Sequence, residues 1–179
     1  MSTAKRIRPA GVVIAAAVAA AAAVAAADGG QTMTAAGAVS HYCVQRAPSA
    51  ITIDGRLDEL GWQLAEQING FARILNDYGR IERATRAKML WDDDALYVGF
   101  ANTDPDIWAI CDAEDDPMWA EEVVEVFIDP DGDGRNYLEL EVNPLNVWVD
   151  LRIHSAVPSL DGAVGWDIAG LRSAVQVHG

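Results

Sequence analysis

The sequence predicts an all-β fold, an antiparallel β-sandwich with at most one short helix. Three observations lead there. Short stretches of alternating polar and apolar residues recur along the chain, turn-forming residues separate them, and only one segment has helical spacing.

The elements follow in order. Lys5, Arg6 and Arg8 precede an unbroken apolar run from Gly11 to Ala27, and Ala25-Ala26-Ala27 offers a small-residue cleavage site before Asp28. That is the layout of a secretory signal peptide, residues 1–27. The alternative is an uncleaved anchor, but the run is short for a span and alanine is weakly hydrophobic. The expectation is a secreted or periplasmic protein, free of the membrane after cleavage. Residues 28–40 are small, polar and aperiodic and read as a disordered linker. A single domain is expected from residue 41 to residue 179. Tyr42–Arg46 and Ile51–Ile53 are extended candidates, and Asp54-Gly55 is a turn. Leu57, Leu60 and Leu64 give the helical spacing, with Trp62 packed near them. Asn69–Arg83 reads mostly as loop. Ala84–Trp91 and Ala95–Asn102 flank Asp92-Asp93-Asp94 and predict a hairpin. Ile107–Cys111 is a further strand, followed by an acidic loop at 112–118. Strands are then predicted at Val123–Asp129, Asn136–Asn143 and Val147–His154, and a last one at Leu171–Val177. Because the chain stops two residues beyond that strand pattern, the sandwich is expected to be C-terminally incomplete.

The formal charge is −14, from 13 Lys+Arg against 27 Asp+Glu, so a nucleic acid would be repelled. In an oxidising compartment the two cysteines, Cys43 and Cys111, are expected to form a disulfide; the alternative is two buried free thiols. No C-x-x-C or H-x-x-H spacing supports a zinc site. Asp129, Asp131 and Asp133 with Gly134 match the start of a calcium loop, although Leu140 stands where the closing glutamate would be. An Asp/Gly-rich hairpin also needs no metal.

The central strands carry the functional signal. In the second, Leu138, Leu140 and Val142 alternate with Tyr137, Glu139, Glu141 and Asn143. In the third, Val147, Val149, Leu151 and Ile153 alternate with Trp148, Asp150, Arg152 and His154. Successive strand side chains point to opposite faces. The expectation is an apolar core face and an outer wall of acids, an amide, a guanidinium and rings. Sugars are bound by such walls, with rings stacking on the pyranose and planar polar groups taking the hydroxyls. Glu125, between Val124 and Val126, must be paired, hydrated or functional; Arg86, Lys88 and Arg152 are its candidate ion partners. Trp119 sits among acids beside Pro117-Met118, where an exposed ring suits stacking. Glu125, Glu139 and Glu141 invite a glycosidase reading, but nothing in the sequence indicates a cleft between paired acids. No nucleophile motif or phosphate loop occurs, and no catalytic residue is expected.

Four segments together resemble carbohydrate-binding module family 9 and its relatives. They are Ile53-Asp54-Gly55 with Asp58-Glu59 and Trp62; Leu90 to Val98; Trp119 to Asp129; and Tyr137 to Asn143-Pro144. The resemblance implies an immunoglobulin-like β-sandwich that binds short chains or reducing ends of plant polysaccharides such as cellulose and xylan. It implies a non-catalytic module, often attached to a glycoside hydrolase, with structural calcium. By the resemblance, Trp119 is the first of two clamp tryptophans, Glu125 the hydroxyl-binding glutamate, and Asn143 the asparagine. Glu141 stands where the family has an arginine, and the second clamp tryptophan belongs to a later segment. Trp148 and Arg152 are second-rank contacts. Two alternatives stand beside this reading. One is an interaction sandwich without sugar binding. The other is a haem-binding sandwich using Met118 and His154.

Overall fold

The computed structural model describes residues 5–7, 12–18, 40–71, 83–155 and 161–178. In chain order the strands are β1 (Lys5–Ile7), β2 (Val12–Val18), β3 (Gln45–Arg46), β4 (Thr85–Trp91), β5 (Leu96–Asn102), β6 (Ile107–Ala109), β7 (Val124–Ile128), β8 (Arg135–Val142), β9 (Trp148–Ser155), β10 (Asp161–Val164) and β11 (Arg172–Val177). One helical turn, α1 (Leu60–Leu64), and a 3-10 turn at Met118–Ala120 interrupt them. Two sheets make the sandwich. One has the order β10-β9-β8-β7 and is antiparallel throughout; the other has the order β11-β2-β5-β4-β3, with only the short β3 parallel to its neighbour.

The predicted hairpin is β4–β5, paired from Thr85↔Asn102 to Trp91↔Leu96. Asp92 makes the turn. Its Oδ1 accepts from the amides of Asp94 and Ala95, both at 2.9 Å, and its Oδ2 accepts from the Tyr97 hydroxyl at 2.7 Å. These bonds, the tyrosine's first, hold the Asp92 carboxyl below the usual carboxylate range. The sandwich core lies between Ala87, Val98 and Phe100 on one sheet and Leu140 and Val142 on the other, with Val124, Val126, Ile128 and Trp148 packed against them. A second cluster seats Trp62 against Ala47, Ala65, Leu90 and Tyr97.

The helix differs from expectation. Gly61 and Trp62 form its buried side, while Leu60 and Leu64 are exposed. Gly61 lets the turn lie against the Leu90 side chain, where a Cβ would come within 3.0 Å. The leucine spacing therefore marked the wrong side of a single turn. The Asp54-Gly55 turn is as expected. Gly55 has φ +79°, and a Cβ there would meet the Gln176 amide nitrogen at 2.9 Å. Gly55→Ala is expected to cost about 2 kcal/mol in urea unfolding, because it adds backbone strain to a clash with β11.

The apolar run read as an export signal contains β2, which pairs antiparallel with β5 on one side and β11 on the other. Cleavage before Asp28 would remove β1 and β2. It would leave the facing edges of β5 and β11 about two strand spacings apart, roughly 10 Å. The linker expected at 28–40, apart from Ser40, and most of the loop expected at 69–83 lie outside the described residues.

Candidate functional site

Register decides which side chains share a face. β7 pairs with β8 so that Glu125 opposes Glu141 and Phe127 opposes Glu139. Leu138, Leu140 and Val142 turn toward the core, and Glu139 and Glu141 turn outward, as the alternation predicts. Glu125, Glu139 and Glu141 are thus brought together on the outer face. Glu125 is exposed, Glu139 half-buried and Glu141 buried, at 1% exposure. Burial pushes the Glu141 carboxyl up to about 8, and the charges of Glu125 and Glu139 add to the effect. Burial also raises Glu139, less strongly opposed by its hydrogen bond to Glu141. At neutral pH Glu141 holds the proton and donates to Glu139. Its Oε2 is buried without a partner.

The third strand is turned over relative to expectation. β8 pairs with β9 so that Glu139 opposes Leu151 and Glu141 opposes Val149. Val149, Leu151 and Ile153 therefore share the outer face with the acids, and the buried Met118 covers them. Trp148 turns inward and packs on the core. Arg152, opposite Leu138, is exposed on the same side of β9 as Trp148. Neither residue joins the wall that holds Glu125. Apolar residues on both faces of β9 left its alternation ambiguous. The same register separates Met118 from His154, which lie on opposite faces, so no single haem can take both. His154 instead meets the Asn136 side-chain oxygen at 3.3 Å. Of the ion partners considered for Glu125, Lys88 donates to the Trp62 carbonyl and Arg152 is on the opposite face.

Trp119 follows Met118 in the 3-10 turn and is 55% exposed. Met118 anchors that turn to the outer face. Glu121 fixes its far end by accepting from the amides of Ile110 at 2.6 Å and Cys111 at 3.0 Å. Asn143 is buried, and its amide is fully used. Its Nδ2 donates to the Cys111 carbonyl at 2.9 Å and to Glu121 Oε1 at 2.8 Å. Its Oδ1 accepts from the amides of Leu145 at 3.0 Å and Val147 at 3.1 Å. No donor of Asn143 is left for a ligand, so its place is that of a brace behind the Trp119 segment. Asn143→Ala would orphan those groups, and a loss of about 2–4 kcal/mol in denaturant unfolding is expected.

Tyr137, which the alternation places on the outer wall, is joined there by Phe127, a ring not counted among the expected contacts. Phe127 is 55% exposed and pairs with Tyr137 at a centroid distance of 6.1 Å and an interplanar angle of 54°. The available signal was the position of Phe127, two residues beyond Glu125 and hence on the same face. Glu125 and Phe127 also border a cleft of about 590 Å³ at the β7 edge, with Phe71, Arg83, Asn102 and Glu122 among its walls. Its size suits a small ligand. The Asn102 side-chain oxygen is buried without a partner.

The carboxylates of Asp129, Asp131 and Asp133 converge, with ligand oxygens within 4.8 Å of one another. Asp129 also closes the loop, accepting from the amides of Gly132 at 3.0 Å and Gly134 at 2.8 Å, and these bonds hold its carboxyl below the usual range. Cys43 and Cys111 are free thiols, so the expected disulfide is not formed. Cys43 is exposed beside β3, whereas Cys111 packs with Met118 on the outer face of the other sheet. Burial and the neighbouring Glu121 push the Cys111 thiol up.

A family model described as "Carbohydrate family 9 binding domain-like" matches residues 53–155, more than half of the 179-residue chain. No curated protein and no solved structure matches the chain. The matched range runs from the Asp54-Gly55 turn through the outer-face acids to the end of β9, so the sandwich that carries them belongs to the carbohydrate family 9 binding domain-like family.

Proposed function

We propose that the chain is a non-catalytic carbohydrate-binding module of an exported protein, taking plant polysaccharide chains or their reducing ends, of the cellulose or xylan type. In this reading it supports carbohydrate catabolism by holding a glycoside hydrolase, on the same or another chain, against its substrate. Family membership supports carbohydrate binding in general. The observation that carries the specific reading is the outward row of Glu125, Glu139 and Glu141, with an exposed tryptophan on an anchored turn over the same face.

Trp119 supplies the stacking plane. Glu125 and Glu139 accept from sugar hydroxyls, while the buried, protonated Glu141 backs Glu139 from beneath the contact surface. Asn143 braces, and Trp148 and Arg152 stand outside the contact surface. A calcium ion at Asp129, Asp131 and Asp133 would stiffen the β7–β8 turn; the convergence of those oxygens supports it. Export rests on the basic start and apolar run of residues 1–27.

Depletion of the protein from solution by insoluble cellulose and xylan tests the proposal. Removal by either, reversed by the matching soluble oligosaccharide, is expected. An interaction sandwich that has lost sugar binding would stay in the supernatant with both.

A further inference from the structure

We propose a second cation site, for a calcium-like divalent ion, held by Glu114, Asp150 and Asp167 and separate from the Asp129–Asp133 loop. The three residues bring carboxylate oxygens within 4.8 Å of one another. Oxygens bound to one calcium ion at about 2.3–2.6 Å lie up to about 5 Å apart, so the spacing fits a shared ion.

Proximity of acids alone would not suffice; the state of Asp150 does. It turns inward from β9 opposite Leu140 and is 1% exposed. Its Oδ2 accepts from the Ile168 amide, but its Oδ1 has no partner. A buried carboxylate oxygen without a partner is destabilising unless something satisfies it. Asp115 adds a second orphan. Its φ is +65°, its amide donates to the Trp148 carbonyl at 3.3 Å, and its own Oδ1 is buried and unpartnered. Among the described residues, the charges that act on Asp150 are negative: Asp167, Asp115 and Glu114. The ion pairs Arg46–Asp93 and Arg83–Asp104, among the same described residues, involve none of these acids. An ion would neutralise the repulsion and give the buried Oδ1 its missing partner. The donors are all oxygens, which selects a hard cation over zinc or copper.

The ion would join three pieces of chain. Glu114 lies in the loop that leads to Trp119, Asp150 in β9, and Asp167 in the turn before β11. It would therefore fix the approach to the Trp119 turn. The cation site itself does not depend on the sugar-binding reading.

The test uses the full chain carrying Asp131→Asn and Asp133→Asn, which disables the other candidate loop. Terbium(III) is titrated with tryptophan excitation, and calcium is used as competitor. Saturable, calcium-displaced luminescence is expected, together with a melting temperature raised several degrees by millimolar calcium. Adding Glu114→Gln and Asp167→Asn, both at exposed positions, should weaken terbium binding at least tenfold and remove the calcium shift. Asp150→Asn should do the same, but it is buried and is read only if folded by circular dichroism. Two results would overturn the site: no saturable binding in the loop-disabled chain, or binding that the Glu114/Asp167 changes leave intact. If a proton shared among the acids satisfies Asp150 instead, calcium will not shift the melting temperature, and that too rejects the site.

Discussion

Trp119→Ala is expected to weaken oligosaccharide binding at least tenfold while leaving the melting temperature within a degree or two of the parent. The two effects separate because the ring is exposed whereas the residue before it is not. Met118 has no exposed surface and packs on Val149, Leu151 and Ile153, so it keeps the turn in place when the neighbouring ring is removed. An exposed tryptophan contributes little to the core, and its truncation stays near surface-mutation costs, about 0.5 kcal/mol. A ring that stacks on a ligand is another matter. Buried aromatic anchors lose about 2 kcal/mol or more when truncated, which exceeds a tenfold change. Calorimetric titration paired with thermal unfolding reads both quantities. A variant that binds normally removes Trp119 from the site, and one that melts early makes it a packing residue.

Glu141→Gln is expected to flatten the pH dependence of stability. In the unfolded chain this carboxyl titrates near its ordinary 4.5, and in the folded protein near 8. Between those values the folded state holds a proton that the unfolded state releases. Stability therefore falls as pH rises through this window and levels off above it. A difference of about 1.4 kcal/mol per pH unit makes the full effect on the order of 3–5 kcal/mol. Glutamine keeps the shape and cannot ionise. Urea unfolding at pH 5 should show little difference between variant and parent, and at pH 9 the variant should be more stable by that amount. A constant difference across the range would mean that the Glu141 carboxyl is not raised in the folded protein.

Much of the sandwich was legible because its strands obey one rule. In β8 the apolar set Leu138, Leu140 and Val142 turns inward and the acids turn outward, so alternation sufficed. β9 defeated the same rule. Its outer face is apolar because Met118 covers it, and its inner face carries Trp148 and the buried Asp150. A buried aspartate reads as a surface residue until its partners are seen. Asn143 shows a related blindness: an amide before a proline is legible as polar, but the two hydrogen bonds its Nδ2 donates go to Cys111 and Glu121, far away in sequence. Strand β10, Asp161–Val164, has too little bulk and no alternation to announce itself, and it is held by pairing to β9. β2 was hidden for another reason, since a run of alanine and valine satisfies an export signal and a sheet equally well.

The central claim is that the outer face of the β7–β9 sheet binds carbohydrate. Its most direct test is tryptophan fluorescence of the folded protein titrated with cello- and xylo-oligosaccharides, alone and with calcium. The account predicts a saturable shift that disappears in Trp119→Ala. No shift with either series, in a protein whose circular dichroism shows an intact β-fold, would contradict it.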